Sequence, residues 1–235
     1  MKNSLMENFL YSEAFNYLPG YLKAFSIVLE VTFAVIIVSF LWGLIIALFK
    51  ISPVKIFSKL AEYYITFVRG TPALITIFMI YFGLPQFGIT INALLAGIIA
   101  LSITQSAYIA EVIRSGINGI PHAQMEAAMD LGCTRLQSLR QVILPQAFVS
   151  MIPAFTSEII AISKNTSLLS AITVLEVTHY TQIVIAQTFK PFDFYFILAL
   201  FYVAFSIFVM KLSKMIEHKY SDFLTDHNHQ QRYAT

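Results

Sequence analysis

Five long apolar runs, near residues 23–49, 62–82, 92–115, 146–166 and 193–214, restrict this chain to a membrane fold. The hydrocarbon core of a bilayer is roughly 30 Å thick and takes about 20 helical residues to cross, and each run supplies that length. Lipid offers no hydrogen bonds, so segments of this kind must satisfy their backbone internally as helices. A soluble domain could not hide them: 57% of the residues are hydrophobic and only 12% are charged, about half the charged share usual in soluble proteins. The expectation is an all-α membrane protein of about five transmembrane helices over residues 23–220. Residues 1–22, with Glu7 and Glu13, read as an external segment, and residues 221–235 as a polar tail. The first apolar run is too long to be a secretory signal and lacks a small-residue cleavage site.

Basic residues orient the spans. Lys50, Lys55, Lys59, Arg114, Arg135, Arg140, Lys211, Lys214, Lys219 and Arg232 fall on one side of this topology, and only Lys2, Lys23 and Lys190 on the other. By the positive-inside rule the C-terminus is cytoplasmic and the N-terminus external. The stretch 167–189 is long enough for a sixth span but carries Glu176, His179, Gln182 and Gln187. A sixth crossing would also throw the lysine-rich tail outside, so the stretch reads as an external or re-entrant helix shielded by protein. The basic residues are dispersed and the net charge is only +2, which excludes a nucleic-acid partner. Cys133 is the only cysteine, so there is no internal disulfide.

On the cytoplasmic side lies a polar segment, 119–145, with its own grammar. Pro121 suits a first helical turn, Glu126 follows early in the helix, and Gly132 can take the left-handed cap that ends it. Thr134 with Gln137 forms a capping-box pattern for a second short helix, which Pro145 delimits or kinks. The result is a helix-turn-helix outside the bilayer, in which Ala127, Ala128 and Gly132 would let another protein approach the backbone closely. An ordinary amphipathic interfacial helix needs neither the glycine nor a fixed gap after it.

The spacing of that segment, Glu126-Ala127-Ala128, then Gly132, then Val142-Ile143-Leu144-Pro145, resembles the EAA motif of ABC importer permeases, with Val142 where the pattern has Ile. Arg69-Gly70-Thr71-Pro72, Tyr81-Phe82-Gly83-Leu84-Pro85 and Lys164-Asn165-Thr166-Ser167-Leu168 are similar to stretches of the polar amino-acid (histidine, arginine and glutamine) branch of type I importers. The resemblance covers about residues 20–220. It implies a bacterial inner-membrane permease subunit that pairs with a second, identical or related permease. It also implies a dimer of ATP-binding subunits docked on Glu126, Ala127, Ala128 and Gly132, and an external amino-acid-binding protein. ATP and Mg would belong to the ATP-binding subunit; this chain would bind no cofactor and would not itself be an enzyme. Independently of the resemblance, the sequence holds no GxxxxGK[ST] phosphate loop, so energy must come from another chain.

Polar side chains at membrane depth are the candidates for substrate contact, because burying them is costly unless they pair or line a cavity. Glu158 and Asn165 are seven residues apart on one helical face with Ile162 between them, while Lys164 lies on another face. Ser102, Gln105 and Ser106 form a second helically spaced set. Glu158 has no obvious cationic neighbour on its own helix, so either a cationic substrate or Arg69 would complete it; the serines more simply bond backbone carbonyls. No metal site is expected, and His227 and His229 read as solvated tail residues. The small residues Gly43, Ala47, Ala93, Ala96, Gly97 and Ala100 suit close helix packing, either between two permeases or within one. The resulting expectation is a permease of an ATP-driven importer of polar, basic amino acids. The alternatives are import of neutral or acidic amino acids or cystine within the same family, and, from a different class, an ion-driven transporter or channel. That last class would show internal repeats or paired unwound helices, and a membrane enzyme would show a convergent catalytic set; neither is evident.

Overall fold

The computed structural model describes the backbone of residues 14–232 and the side chains of residues 16–219. Residues 1–13, with Glu7 and Glu13, and the side chains of His227 and His229 lie outside the described part. Every regular element among the described residues is helical. Among the described residues four helices are long and apolar enough to cross a membrane, or five when a bent pair counts as one span.

Helix α1 runs Ala14–Lys50. It starts well before residue 23, and its first turns are packed rather than free: Tyr21 is buried, stacked on Phe201 and edge-on to Tyr180. From there α1 lies along α4 (Ala93–Asn118), the central helix of the molecule. Ala96, Ala100 and Leu101 of α4 pack with Val31, Val35 and Ile77 in one core cluster. Ile109, Ala110 and Ile113 pack with Ile46, Ala47 and Ile65 in a second.

The small residues are what bring these two helices together. A Cβ on Gly43 would stand 2.8 Å from the Ser106 carbonyl oxygen of α4, while Gly97 instead makes room for Leu169, further along the chain, which a Cβ there would approach to 2.6 Å. Ala47, Ala96 and Ala100 are fully buried. Packing within one chain therefore occupies these positions, and they offer no free seam to a second permease. Gly43→Ala should separate α1 from α4, because the obstacle is backbone that cannot swing away. The expected cost is about 1–3 kcal/mol, read as a thermal midpoint in detergent lowered by about 5 °C. Gly83→Ala, with nothing within 4 Å of its Cβ position, should leave the midpoint unchanged.

The expected straight span 62–82 is instead broken. Helix α2 runs Lys55–Gly70, and α3 starts at Ala73, runs to Phe78 and continues through a π turn (Met79–Gly83) and a 3-10 turn (Leu84–Phe87). The two halves meet at 100°. Pro72 is the cause: it has no N–H to donate and holds Thr71 in extended backbone, φ −99° and ψ 127°. Gly88, at φ 78°, then turns the chain, and the Asn92 carboxamide caps α4 by accepting from the Leu95 N–H at 2.8 Å.

After α4 come α5 (His122–Asp130) and α6 (Arg135–Ser138), the helix-turn-helix expected from sequence. Helix α6 does not stop at Pro145. A π turn, Leu139–Ile143, carries it into α7 (Leu144–Asn165), where Pro145 occupies the first turn and its missing N–H costs nothing. A 3-10 segment, Thr166–Ile172, leads to α8 (Val177–Thr188), and α9 spans Pro191–Arg232. Residues 221–232 of the expected tail are thus a continuation of α9.

Helix α8 has 12 residues, about 18 Å and too short to cross a bilayer. It packs Val177 and Val184 against Tyr21, Val28, Phe194 and Leu198. The Glu176 side chain is completely buried and caps α8, accepting from the N–H groups of His179 at 2.8 Å and Thr178 at 2.9 Å, while the Tyr202 hydroxyl donates to it at 3.4 Å. Of the polar residues of this stretch, Glu176 is buried and His179 half-buried, but Gln182 and Gln187 are exposed, so protein covers the stretch only in part.

Candidate functional site

The break between α2 and α3 faces α7 across α4, and two hollows open there. The first, about 530 Å³, is bounded by Arg69 to Ala73 at the break, by Thr104, Gln105 and Tyr108 of α4, and by Glu158, Ala161 and Asn165 of α7. The second, about 570 Å³, continues along α4 past Glu111 and Ser115 to Gly119. Arg69, Tyr108 and Glu158 line both hollows and form the partition between them.

At the partition, Gln105 donates from Nε2 to the Glu158 carboxylate. Gln105 is itself 3% exposed, so its amide is fixed by packing before it meets the carboxylate. Arg69 turns elsewhere: its guanidinium stands over the Tyr108 ring, 5.1 Å from the centroid. Among the described residues the ion pairs are Lys50–Glu62 at 3.1 Å and Arg114–Glu111 at 2.9 Å. Of the two partners foreseen for Glu158, Arg69 is not the one it holds. A carboxylate with one amide donor and a neighbouring guanidinium outside any of these ion pairs thus share one hollow.

Sequence reasoning brought Glu158, Asn165, Gln105 and Arg69 to this place, and the structure does set all four around the first hollow. Ser102 is different. It is buried, lines neither hollow, and its hydroxyl has no hydrogen-bond partner among the described residues. Ser106 takes the simpler role, donating to the Ile103 carbonyl at 2.8 Å and meeting the Tyr64 hydroxyl at 2.7 Å. Ile162 points into the core, and Ala161 is the residue between Glu158 and Asn165 on the wall. Tyr108, Glu111 and Thr71 were missed. The signal for the first two was present: Gln105, Tyr108, Glu111 and Ser115 recur every three or four residues, one polar stripe along α4.

The helix-turn-helix shows a second kind of surface. Gly132 has φ 92°, with its N–H on the Met129 carbonyl at 2.9 Å and the Cys133 N–H on the Ala128 carbonyl at 3.1 Å, which closes α5. Thr134 and Gln137 then form both halves of the capping box. Glu126 and Ala127 are exposed, but Ala128 is buried and faces its own chain, so it is not part of the free surface. Large apolar residues stand out beside the glycine instead: Leu131 is 87% and Leu136 73% exposed. Two large apolar side chains therefore lie on the exposed side of this short segment.

A family model described as binding-protein-dependent transport system inner membrane component matches residues 39–222. The probable glutamine ABC transporter permease protein GlnM of Bacillus subtilis is 37% identical over 77% of this chain and 86% of the relative. The arginine transport system permease protein ArtQ of the same organism is 31% identical over 90% of this chain and 97% of the relative. Among solved structures, an amino acid ABC transporter with histidines superposes with a TM-score of 0.83 at 37% identity, covering 88% of this chain and 96% of that one. The match to the family model takes in the broken span, the polar partition and the capped helix-turn-helix, and this chain belongs to the family of binding-protein-dependent transport system inner membrane components.

Proposed function

We propose that this chain is the permease subunit of an ATP-driven importer of polar amino acids with a preference for cationic side chains. The observation that carries the substrate class is the pairing of Glu158 and Arg69 around one hollow. Every amino acid brings a carboxylate and an ammonium group. Arg69, which among the described residues pairs with no carboxylate, matches the first, and Glu158, among the same residues held only by the Gln105 amide, matches a cation. The similarity to permeases named for glutamine and arginine supports an amino-acid substrate. A second reading follows from the same pairing: if Glu158 takes the α-ammonium group, neutral amino acids are carried equally well.

The coupling element in this reading is α5 with Gly132, Leu131 and Leu136, on which a dimer of ATP-binding subunits docks with its ATP and Mg. A second permease, identical or related, completes the pathway, and an external binding protein delivers the amino acid. The N-terminus faces out and the C-terminus faces the cytoplasm, in line with the bias of lysine and arginine.

Two measurements test this. In liposomes holding the permease, its ATP-binding subunit and the binding protein, labelled arginine should enter only with ATP, and uptake driven by an ion gradient without ATP would overturn the reading. For orientation, single cysteines replace Phe87 and Leu136, both strongly exposed, in a Cys133→Ser background. An impermeant thiol reagent should label Phe87→Cys in intact cells and Leu136→Cys only in everted vesicles. The reverse pattern would invert the topology.

A further inference from the structure

Helix α9 begins at Pro191, and at 1.5 Å per residue Lys211 and Lys214 lie about 30–35 Å further along it, one hydrocarbon thickness from the start. There α9 meets α7 around a hollow of about 370 Å³, to which α7 contributes Pro153, Thr156 and Ser157, and α9 contributes Lys211, Ser213 and Lys214. The Thr156 and Ser213 hydroxyls hydrogen-bond each other, fixing the two walls. Neither lysine makes an ion pair among the described residues. Glu217, also at the hollow, is one helical turn past Lys214, towards the water. Glu217 can match at most one of the two ammonium groups, which leaves a net positive charge at the edge of the hydrocarbon where headgroup phosphates lie.

What leads to the lysines identifies the phosphate's carrier. Leu200, Val203, Ile207 and Met210 are all exposed, between 43% and 53%, and their spacing puts them on one face of α9 that ends at Lys214. From Leu200 to Met210 this stripe is about 15 Å long, one leaflet deep. We propose that the hollow seats the phosphate of an anionic inner-leaflet phospholipid on Lys211 and Lys214, with an acyl chain laid along the stripe. This rests on the reading that the C-terminal part of α9 is cytoplasmic. A two-fold contact between copies at this spot would set the lysines of one against those of the other, which disfavours a second permease as the occupant.

Native mass spectrometry of the full chain in detergent tests the proposal with three probes: phosphatidylglycerol, phosphatidylcholine and inorganic phosphate. Phosphatidylglycerol should be retained, the other two should not, and Lys211→Gln/Lys214→Gln should weaken that retention on the order of tenfold. Lys55→Gln/Lys59→Gln removes the same charge away from the hollow and should bind as wild type, with unchanged helical content in both variants. Equal retention by the hollow variant, equal loss in the Lys55/Lys59 variant, or retention of phosphatidylcholine would overturn the site. Inorganic phosphate alone binding would overturn the lipid as ligand. Efficient disulfide cross-linking between two copies carrying Lys214→Cys would give the surface to a second permease and overturn the proposal. Labelling of Lys214→Cys from outside intact cells would overturn the inner-leaflet assignment and the topology while leaving the binding result to stand on its own.

Discussion

Replacing Gly132 with isoleucine should uncouple this permease from the ATP-binding subunit proposed to dock on it. The residue sits at φ 92°, where a β-branched side chain is strained by about 1–3 kcal/mol. No atom lies within 4 Å of where its Cβ would be, so the strain is conformational and nothing inside the chain is displaced. The chain relieves it by changing φ. That change breaks the two hydrogen bonds that close α5 onto Met129 and Ala128 and re-aims Leu131, the residue before the glycine, relative to Leu136. A docking surface made of those two exposed leucines then loses its shape. Co-purification with the ATP-binding subunit, or substrate-stimulated ATP hydrolysis, should fall by about tenfold, as roughly 1.4 kcal/mol of lost fit would produce. Membrane insertion should be normal, because the spans are untouched. Gly132→Asn, which enters left-handed backbone at lower cost, should recover part of the loss. Full assembly and full ATP coupling in the isoleucine variant would remove this element from the docking surface.

That local geometry is legible in the sequence because it is written in short-range chemistry. A proline, a glycine and a Thr–Gln pair at fixed spacing dictate caps and a turn whatever surrounds them, and α5, the turn at Gly132 and the capping box all form where the residues require. The long apolar runs likewise mark α1, α4, α7 and α9, since a bilayer crossing demands length more than detail. What sequence reasoning loses are features set by neighbours. The run 62–82 is apolar enough to look like one span, and Pro72 alone does not reveal whether it kinks a helix or breaks it by 100°. Ala128 looks like a contact residue by type, yet which side of α5 meets the chain depends on the path of α6 and the π turn. The small residues of α1 and α4 fit a dimer or a single bundle equally until Ser106 and Leu169 are seen against them. The same holds in the site. Periodicity places Glu158 and Asn165 on one face, but only the crossing of α7 and α4 tells that Gln105 holds the carboxylate and that Arg69 lies on Tyr108 instead.

Glu158→Gln should cut uptake of arginine and lysine by about a hundredfold while changing uptake of glutamine only a few-fold. Truncating one side of a buried, hydrogen-bonded charge pair costs a few kcal/mol, chiefly because the other charge is left unmatched. In the proposed reading the other charge is the substrate's own. The substitution is close to isosteric, and its carbonyl oxygen can still accept from Gln105, so the bond that fixes the side chain survives and packing cannot account for a selective loss. Three outcomes separate the readings when uptake is normalised to inserted protein. A loss confined to cationic amino acids supports Glu158 as the reader of the side chain. A similar loss for every amino acid, in a protein as heat-stable as wild type, moves Glu158 to the α-ammonium group and favours a carrier of neutral amino acids. A similar loss together with lower thermal stability, relieved when Arg69→Gln is added, means that Glu158 and Arg69 form a structural pair in some state of the transport cycle. The observed contacts oppose that third outcome: Arg69 rests on Tyr108 and Glu158 on Gln105, so removing Arg69 should repair nothing. Arg69→Gln alone should instead lower uptake of all amino acids, because the carboxylate proposed to bind it is common to every one of them.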